Sequence, residues 1–215
     1  ERGSEAEQLA HHPATPPHQR TSIEKRRIAM RAFIALELPA DFADDTAAAA
    51  RRLSASLEGR FLDRSTYHLT LAFLGDIDDA EASRAMDALD VACAGSAPVS
   101  LAPDGLGKFG RPADATLWLG VAPDPALQAL AERVREELTA RDVPFDPKPF
   151  RPHITLGRRV RIPKKPLPPL AFPLPAHART VTLFKSTLSR DGAEYKPLYT
   201  VELGEPAEMP TSTPN

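Results

Sequence analysis

His68-Leu69-Thr70-Leu71-Ala72-Phe73-Leu74 and His153-Ile154-Thr155-Leu156-Gly157-Arg158 carry the same pattern, His-x-Thr-Leu, in a chain of 215 residues with six histidines. Both copies sit in apolar runs that read as β-strands. Residues i and i+2 of a strand point to the same face. Each copy therefore presents an imidazole and a hydroxyl roughly 6–7 Å apart along the strand. The intervening aliphatic residues face the other way. Were the two strands adjacent, two histidines and two threonines would surround one pocket. A proton donor, a proton acceptor and two hydroxyl donors suit the cleavage of a phosphodiester without a metal.

The surroundings of the two copies match as well. Phe33-Ile34-Ala35-Leu36-Glu37-Leu38-Pro39 reads as a strand closed by proline, followed by a helix from Asp41, a plausible N-cap, to about Leu57. The strand Tyr67–Leu74 with His68 comes next. In the second half, Thr116–Pro123 is again a strand closed by proline. Asp124 then caps a helix with Pro125 at its first position and apolar spacing at Leu127, Leu130, Val134 and Leu138. The strand with His153 follows. Pro39 and Pro123 are 84 positions apart, His68 and His153 are 85 apart. Two landmarks agreeing within one residue point to a duplicated strand–helix–strand unit.

Other elements fit around this frame. Asp79–Ala94 reads as a helix; Val99–Leu106, Thr180–Ser189 and Tyr195–Leu203 read as strands. Asp191-Gly192 is a hairpin turn. Residues 162–175 contain six prolines and are expected to run extended over the surface. The expected class is α+β: bilobal, with two pseudo-symmetric antiparallel sheets, helices on their outer faces and the active site in the cleft between lobes.

Composition narrows the function. Hydrophobic residues make up 42% and charged residues 26%, with net charge −2; nothing global advertises a nucleic-acid binder, so any nucleic-acid contact would be local. The single cysteine, Cys93, excludes an internal disulfide and fits a reducing cytosol. No apolar run approaches the ~18–20 residues of a membrane span. Residues 1–29 are polar and proline-bearing, without the apolar core of a signal peptide, and are expected to be a disordered extension. The folded part is expected over 30–204, opening at Met30, and 205–215 as a frayed tail.

Either histidine alone would be an ordinary core or surface residue; matched places in a repeat argue against that. Imidazole titrates near pH 6.5, so one ring can act as base while the other acts as acid. Thr70 and Thr155 would hydrogen-bond the non-bridging phosphate oxygens, although threonine is also simply a good strand residue. Arg158 is a natural phosphate clamp, yet strict alternation puts it on the face opposite His153 unless Gly157 hosts a bulge. The first motif has Phe73 at the equivalent place. Lys108-Phe109-Gly110-Arg111 reads as a Gly-flanked basic loop able to stack a base, or as a solvated turn. Phe150 suits core packing better than stacking, and His177 lies outside both motifs. A zinc site would need a third ligand; neither motif holds an acidic residue, so no metal or other cofactor is expected.

These residues resemble the two-histidine phosphoesterase superfamily, and most closely its RNA 2′,3′-cyclic phosphodiesterase (2′-5′ RNA ligase) family. The resemblance rests on Met30-Arg31-Ala32-Phe33-Ile34-Ala35-Leu36, His68–Gly75, Gly105-Leu106-Gly107-Lys108-Phe109, Leu117–Val121, Arg151–Arg158 and Leu183-Phe184-Lys185-Ser186, in family order over about residues 30–203. It implies metal-independent hydrolysis of RNA 2′,3′-cyclic phosphate ends to 2′-phosphomonoesters. His68 would be the proton donor to the departing 3′ oxygen and His153 the base. Relatives often carry tryptophan and proline shortly before the first histidine; this chain has Phe61-Leu62-Asp63-Arg64-Ser65-Thr66-Tyr67 instead. The expected partners are RNA ends or short oligonucleotides, and the expected state is a cytoplasmic monomer. The alternatives are a phosphodiesterase for a small cyclic nucleotide, a 2′-5′ ligase by the reverse reaction, and a non-catalytic binder of RNA ends.

Overall fold

The structure, a computed structural model, describes residues 29–167, 169–189 and 192–204. The extension expected over 1–29 (Ala29 apart) and the tail expected over 205–215 lie outside the described residues. The chain opens with β1 (Met30–Glu37), α1 (Ala40–Ser54), β2 (Arg60–Phe61), a short 3-10 turn (Arg64–Thr66), β3 (His68–Ile77) and α2 (Asp79–Cys93). β4 (Val99–Leu101), β5 (Pro103–Arg111), β6 (Asp114–Val121) and α3 (Pro125–Ala140) follow. β7 (His153–Val160), β8 (Ala176–Ala178), β9 (Thr180–Leu188) and β10 (Ala193–Glu202) complete the fold. The class is α+β, as the strand and helix periodicities implied.

The large sheet runs β10-β9-β1-β3-β7-β6-β5, with β2 added to β7, and β4 pairs with β8 in a small second sheet. Its two halves are the two lobes expected from the repeat. They meet edge to edge at one paired position, Leu69 with Ile154, and so form one sheet of eight strands. Read outward from the β3–β7 seam, β1 matches β6 and β9 matches β5. Each half lends its last strands to the other: β9 flanks β1, while β5 flanks β6.

The register lines up one aliphatic residue per strand across the sheet: Val181, Leu36, Leu69, Ile154 and Leu119, each 1% exposed or less. This is the apolar face. The helices belong to it: the Arg135 side chain of α3 donates to the Leu71 carbonyl at 3.1 Å, and the Tyr199 hydroxyl of β10 donates to Asp90 of α2 at 2.6 Å. Burying one such aliphatic side chain is worth about 1.5–3 kcal/mol, and alternation sends the histidines and threonines to the opposite face.

Helix starts follow local chemistry. α2 opens with a reciprocal capping box: Asp78 accepts from the Glu81 N–H and Glu81 accepts from the Asp78 N–H, both at 2.8 Å. Asp124 caps α3 by accepting from the Leu127 N–H at 2.9 Å. At α1 the expected cap, Asp41, is not one. Pro39, extended at φ −53 and ψ 144, is the half-in residue, and Asp41 falls in the first turn, where a carboxylate suits the helix dipole. The expected strand Val99–Leu106 divides at Ala102 between the two sheets, because Pro103 has no N–H to continue a ladder. The hairpin expected at Asp191-Gly192 is closed by the Ser189 N–H donating to the Gly192 carbonyl at 2.7 Å; Asp191 lies outside the described residues. Among the described residues, no helix is long and apolar enough to cross a membrane.

The seam gives a direct test. Leu69→Ala should lower unfolding stability by about 2–5 kcal/mol in urea melts. Combined with Ile154→Ala, its cost should depart from additivity. Two independent, additive losses would mean that the halves do not rely on this contact.

Candidate active site

The rows next to the apolar one carry the candidate residues. Pairing sets Glu37 beside His68, and Thr155 beside Trp118 and then Gly107; it also sets Ala35 beside Thr70, and His153 beside Gly120. Carrying the Leu69–Ile154 register one residue each way brings His68 opposite Thr155 and Thr70 opposite His153. Each histidine thus faces the other half's threonine, and the histidines are diagonal neighbours, about 7–8 Å apart at the backbone. The two motifs, remote in the chain, share one face of one sheet.

Each ring is held in the same way. The Nδ1 of His68 lies 2.8 Å from the Thr66 carbonyl, and that of His153 lies 2.6 Å from the Arg151 carbonyl. A carbonyl can only accept, so Nδ1 carries the proton in both rings. Nε2 is left as the lone pair of the neutral ring. Aromatic walls fix the ring planes. His68 lies 4.6 Å from Phe33 and edge-on to Tyr195 at 5.2 Å. His153 is edge-on to Phe109 at 5.0 Å and tilted against Trp118 at 5.9 Å. Trp118 occupies its place because Gly107 has no side chain: a Cβ there would stand 2.0 Å from the indole.

Burial pushes His68 down to about 4; its hydrogen bond to Thr66 opposes this, and the positive charges of His153 and Arg158 add to it. Burial also lowers His153, assisted by Arg151 and Arg158. Both rings therefore favour the neutral form at pH 7. The Thr70 and Thr155 hydroxyls are half-buried and have no hydrogen-bond partner among the described residues.

Arg158 shares this groove, against strict alternation. In β7, Thr155 pairs with Trp118 but Gly157 pairs with Leu117, so Leu156 is an extra, bulged residue that turns Arg158 back to the histidine face. Its charge acts on His68, His153 and Tyr195. The same bulge recurs in β3, where Thr70 pairs with Ala35 and Ala72 with Ile34, leaving Leu71 extra. Phe73 occupies the place equivalent to Arg158, with the Arg31 guanidinium 4.8 Å above its ring.

The remaining candidates divide. Lys108-Phe109-Gly110-Arg111 is the end of β5, not a loop, because Phe109 and Lys108 pair with Thr116 and Leu117 of β6. Phe109 still reaches the site, against His153. Phe150 packs against the core, and His177 is exposed in the small sheet. Phe33, Tyr195 and Trp118 also wall the site. The pattern marks Phe33 and Trp118 only as strand residues, and nothing local links Tyr195 to His68. Among the described residues, no group of three or more His, Cys, Asp or Glu side chains converges as a metal site would need.

A groove at the seam of a pseudo-symmetric sheet, with one His-x-Thr-x strand on either side, defines a two-histidine phosphoesterase-like protein. The sequence model of the 2′-5′ RNA ligase superfamily matches residues 39–190, and the chain belongs to that superfamily. An RNA 2′,3′-cyclic phosphodiesterase of Geobacillus stearothermophilus is 35% identical over 170 residues, covering 78% of this chain and 54% of that protein; the chain thus spans about half the length of that relative. One from Thermotoga maritima is 30% identical over 176 residues, covering 79% and 94%. The crystal structure of Escherichia coli LigT complexed with 3′-AMP superposes with a TM-score of 0.70 at 27% identity, covering 81% of this chain and 98% of that one.

The Trp118–Gly107 contact is testable with the chain's single tryptophan. Gly107→Ala should displace the indole, shift its fluorescence and cost about 1–3 kcal/mol by overpacking. An unchanged emission spectrum would show that the ring does not rest on this glycine.

Proposed function

We propose that the chain hydrolyses the 2′,3′-cyclic phosphate at an RNA end to a 2′-phosphomonoester, by histidine acid–base catalysis without a metal. The observation that carries this reading is the matched pair of tethers. Two imidazoles on adjoining strands each spend Nδ1 on a carbonyl two residues upstream, which leaves two Nε2 atoms for one substrate. The names of the relatives agree with it.

In this reading His153 Nε2 takes a proton from water as the water oxygen bonds to phosphorus. The P–O3′ bond breaks, and His68 Nε2 gives its proton to the departing 3′ oxygen. The product is a 2′-phosphomonoester with a free 3′-hydroxyl, and the proton now on His153 returns to His68 through solvent. Each transfer is worth typically 10²–10⁴ in rate. Thr70, Thr155 and Arg158 meet the non-bridging oxygens, where negative charge grows.

The lowered rings assign a cost to each role. A neutral His153 is ready as a base. His68 is neutral in the free enzyme, and the phosphate monoanion of the substrate favours its protonated form. The alkaline limb of kcat/KM, which reports the free enzyme, should therefore fall at a pH below 6.5. That of kcat should lie higher, because bound phosphate raises His68. Rate profiles between pH 4 and 9 measure both limbs; coincident limbs would remove this role for the bound anion.

His68→Ala and His153→Ala should each lower the rate by at least ~10²-fold while unfolding as cooperatively as the parent. Full activity in either variant would sink the mechanism. Turnover should persist in a chelator; loss that zinc restores would favour a metal site instead. Product analysis on one RNA ending in a cyclic phosphate should give the 2′-phosphate and not the 3′-phosphate.

A further inference from the structure

We propose that Arg60 binds the phosphodiester on the 5′ side of the terminal nucleotide, so that the enzyme recognises the end of an RNA chain over a lone cyclic nucleotide. This rests on the reading of the site as an RNA cyclic phosphodiesterase and names where the rest of the strand goes.

Arg60 of β2 pairs directly with Arg158 of β7. Like charges directly opposite one another destabilise a sheet, unless an anion joins them. Among the described residues, neither guanidinium has an ion pair or a hydrogen bond. Their neighbours differ: Arg64 pairs with Asp44, and Arg161 with Glu58 at 3.3 Å. Two unspent arginines beside two histidines form a basic strip built for more than one phosphate.

The strip has a floor. Arg60, Phe61, Thr66, Arg158 and Tyr195 line a cavity of about 400 Å³, within the ~300–1,000 Å³ of small-molecule sites and larger than a single phosphate requires. Tyr195 joins it to the catalytic groove, since the same ring packs edge-on against His68. Tyr195 offers aromatic surface to a ribose or base, while Phe61 packs against the core. Asp63, also on the wall, accepts from the Ser65 N–H and hydroxyl at 2.9 and 2.7 Å, both on Oδ1, and is the one carboxylate among the described residues that line the cavity.

Arg60 does not duplicate Arg158. It stands on β2, which follows β3 along the same edge of β7, and its guanidinium lies over Gly192, just before β10: a Cβ on Gly192 would be 2.8 Å from Nη2. Arg158, one bulge after Thr155, meets the scissile phosphate. Arg60 meets the next one along the chain.

The experiment compares uridine 2′,3′-cyclic phosphate with the dinucleotide UpU ending in the same cyclic phosphate, for the parent, Arg60→Gln and Arg60→Lys. The parent should favour the dinucleotide in kcat/KM by at least ~10-fold, the scale of a charged hydrogen bond. Arg60→Gln should collapse that ratio, mainly through KM, and Arg60→Lys should restore much of it. The slope of log KM against log salt on the dinucleotide should fall by about 0.7 in Arg60→Gln, as one phosphate contact is lost. An equal loss on both substrates, or no loss, overturns the proposal while leaving the cyclic phosphodiesterase reading in place. Turnover of neither substrate by the parent overturns both.

Discussion

The contact between Leu69 and Ile154 holds two half-sites in one molecule. It is the one paired position between β3 and β7, and both side chains are fully buried. Because side chains alternate along a strand, burying these two residues obliges their neighbours, His68 and Thr70 on one side and His153 and Thr155 on the other, to emerge together on the opposite face. The groove is thus a by-product of the core. A slip of one residue would turn every histidine inward, and the core row from Val181 to Leu119 resists that slip on every strand it crosses.

The duplication supplies two equal half-sites, and the surroundings make them unequal. His68 is boxed by Phe33 and Tyr195 and is pushed to about 4, while His153 lies against Phe109 and Trp118. Arg158 stands where the first half has Phe73, so one half brings a cation and the other an aromatic ring. Burial lowers both rings, and the different walls remove water from each to a different extent.

Much of the fold was legible because its signals are local. Apolar alternation marked the strands around both motifs, and 3.6-residue spacing with Asp124-Pro125 marked α3 and its start. The bulge was legible only as an option at Gly157. The pairing shows the extra residue to be Leu156, with a twin at Leu71 that alternation could not reveal. The misread ends have the same origin: Asp41 resembles a cap more than Pro39 does, and Phe109 looks like a loop residue between glycines until β6 lies beside it.

Sequence alone therefore determined the two His-x-Thr-x strands, their repeat and the chemistry that two imidazoles and two hydroxyls permit, since periodicity and residue type are properties of the chain itself. Only the tertiary structure decided that β3 lies against β7, that a bulge turns Arg158 into the groove, that Tyr195 walls His68, and that Arg60 sits opposite Arg158. Each of these depends on register between strands distant in the chain, and register is set by how the whole apolar face packs.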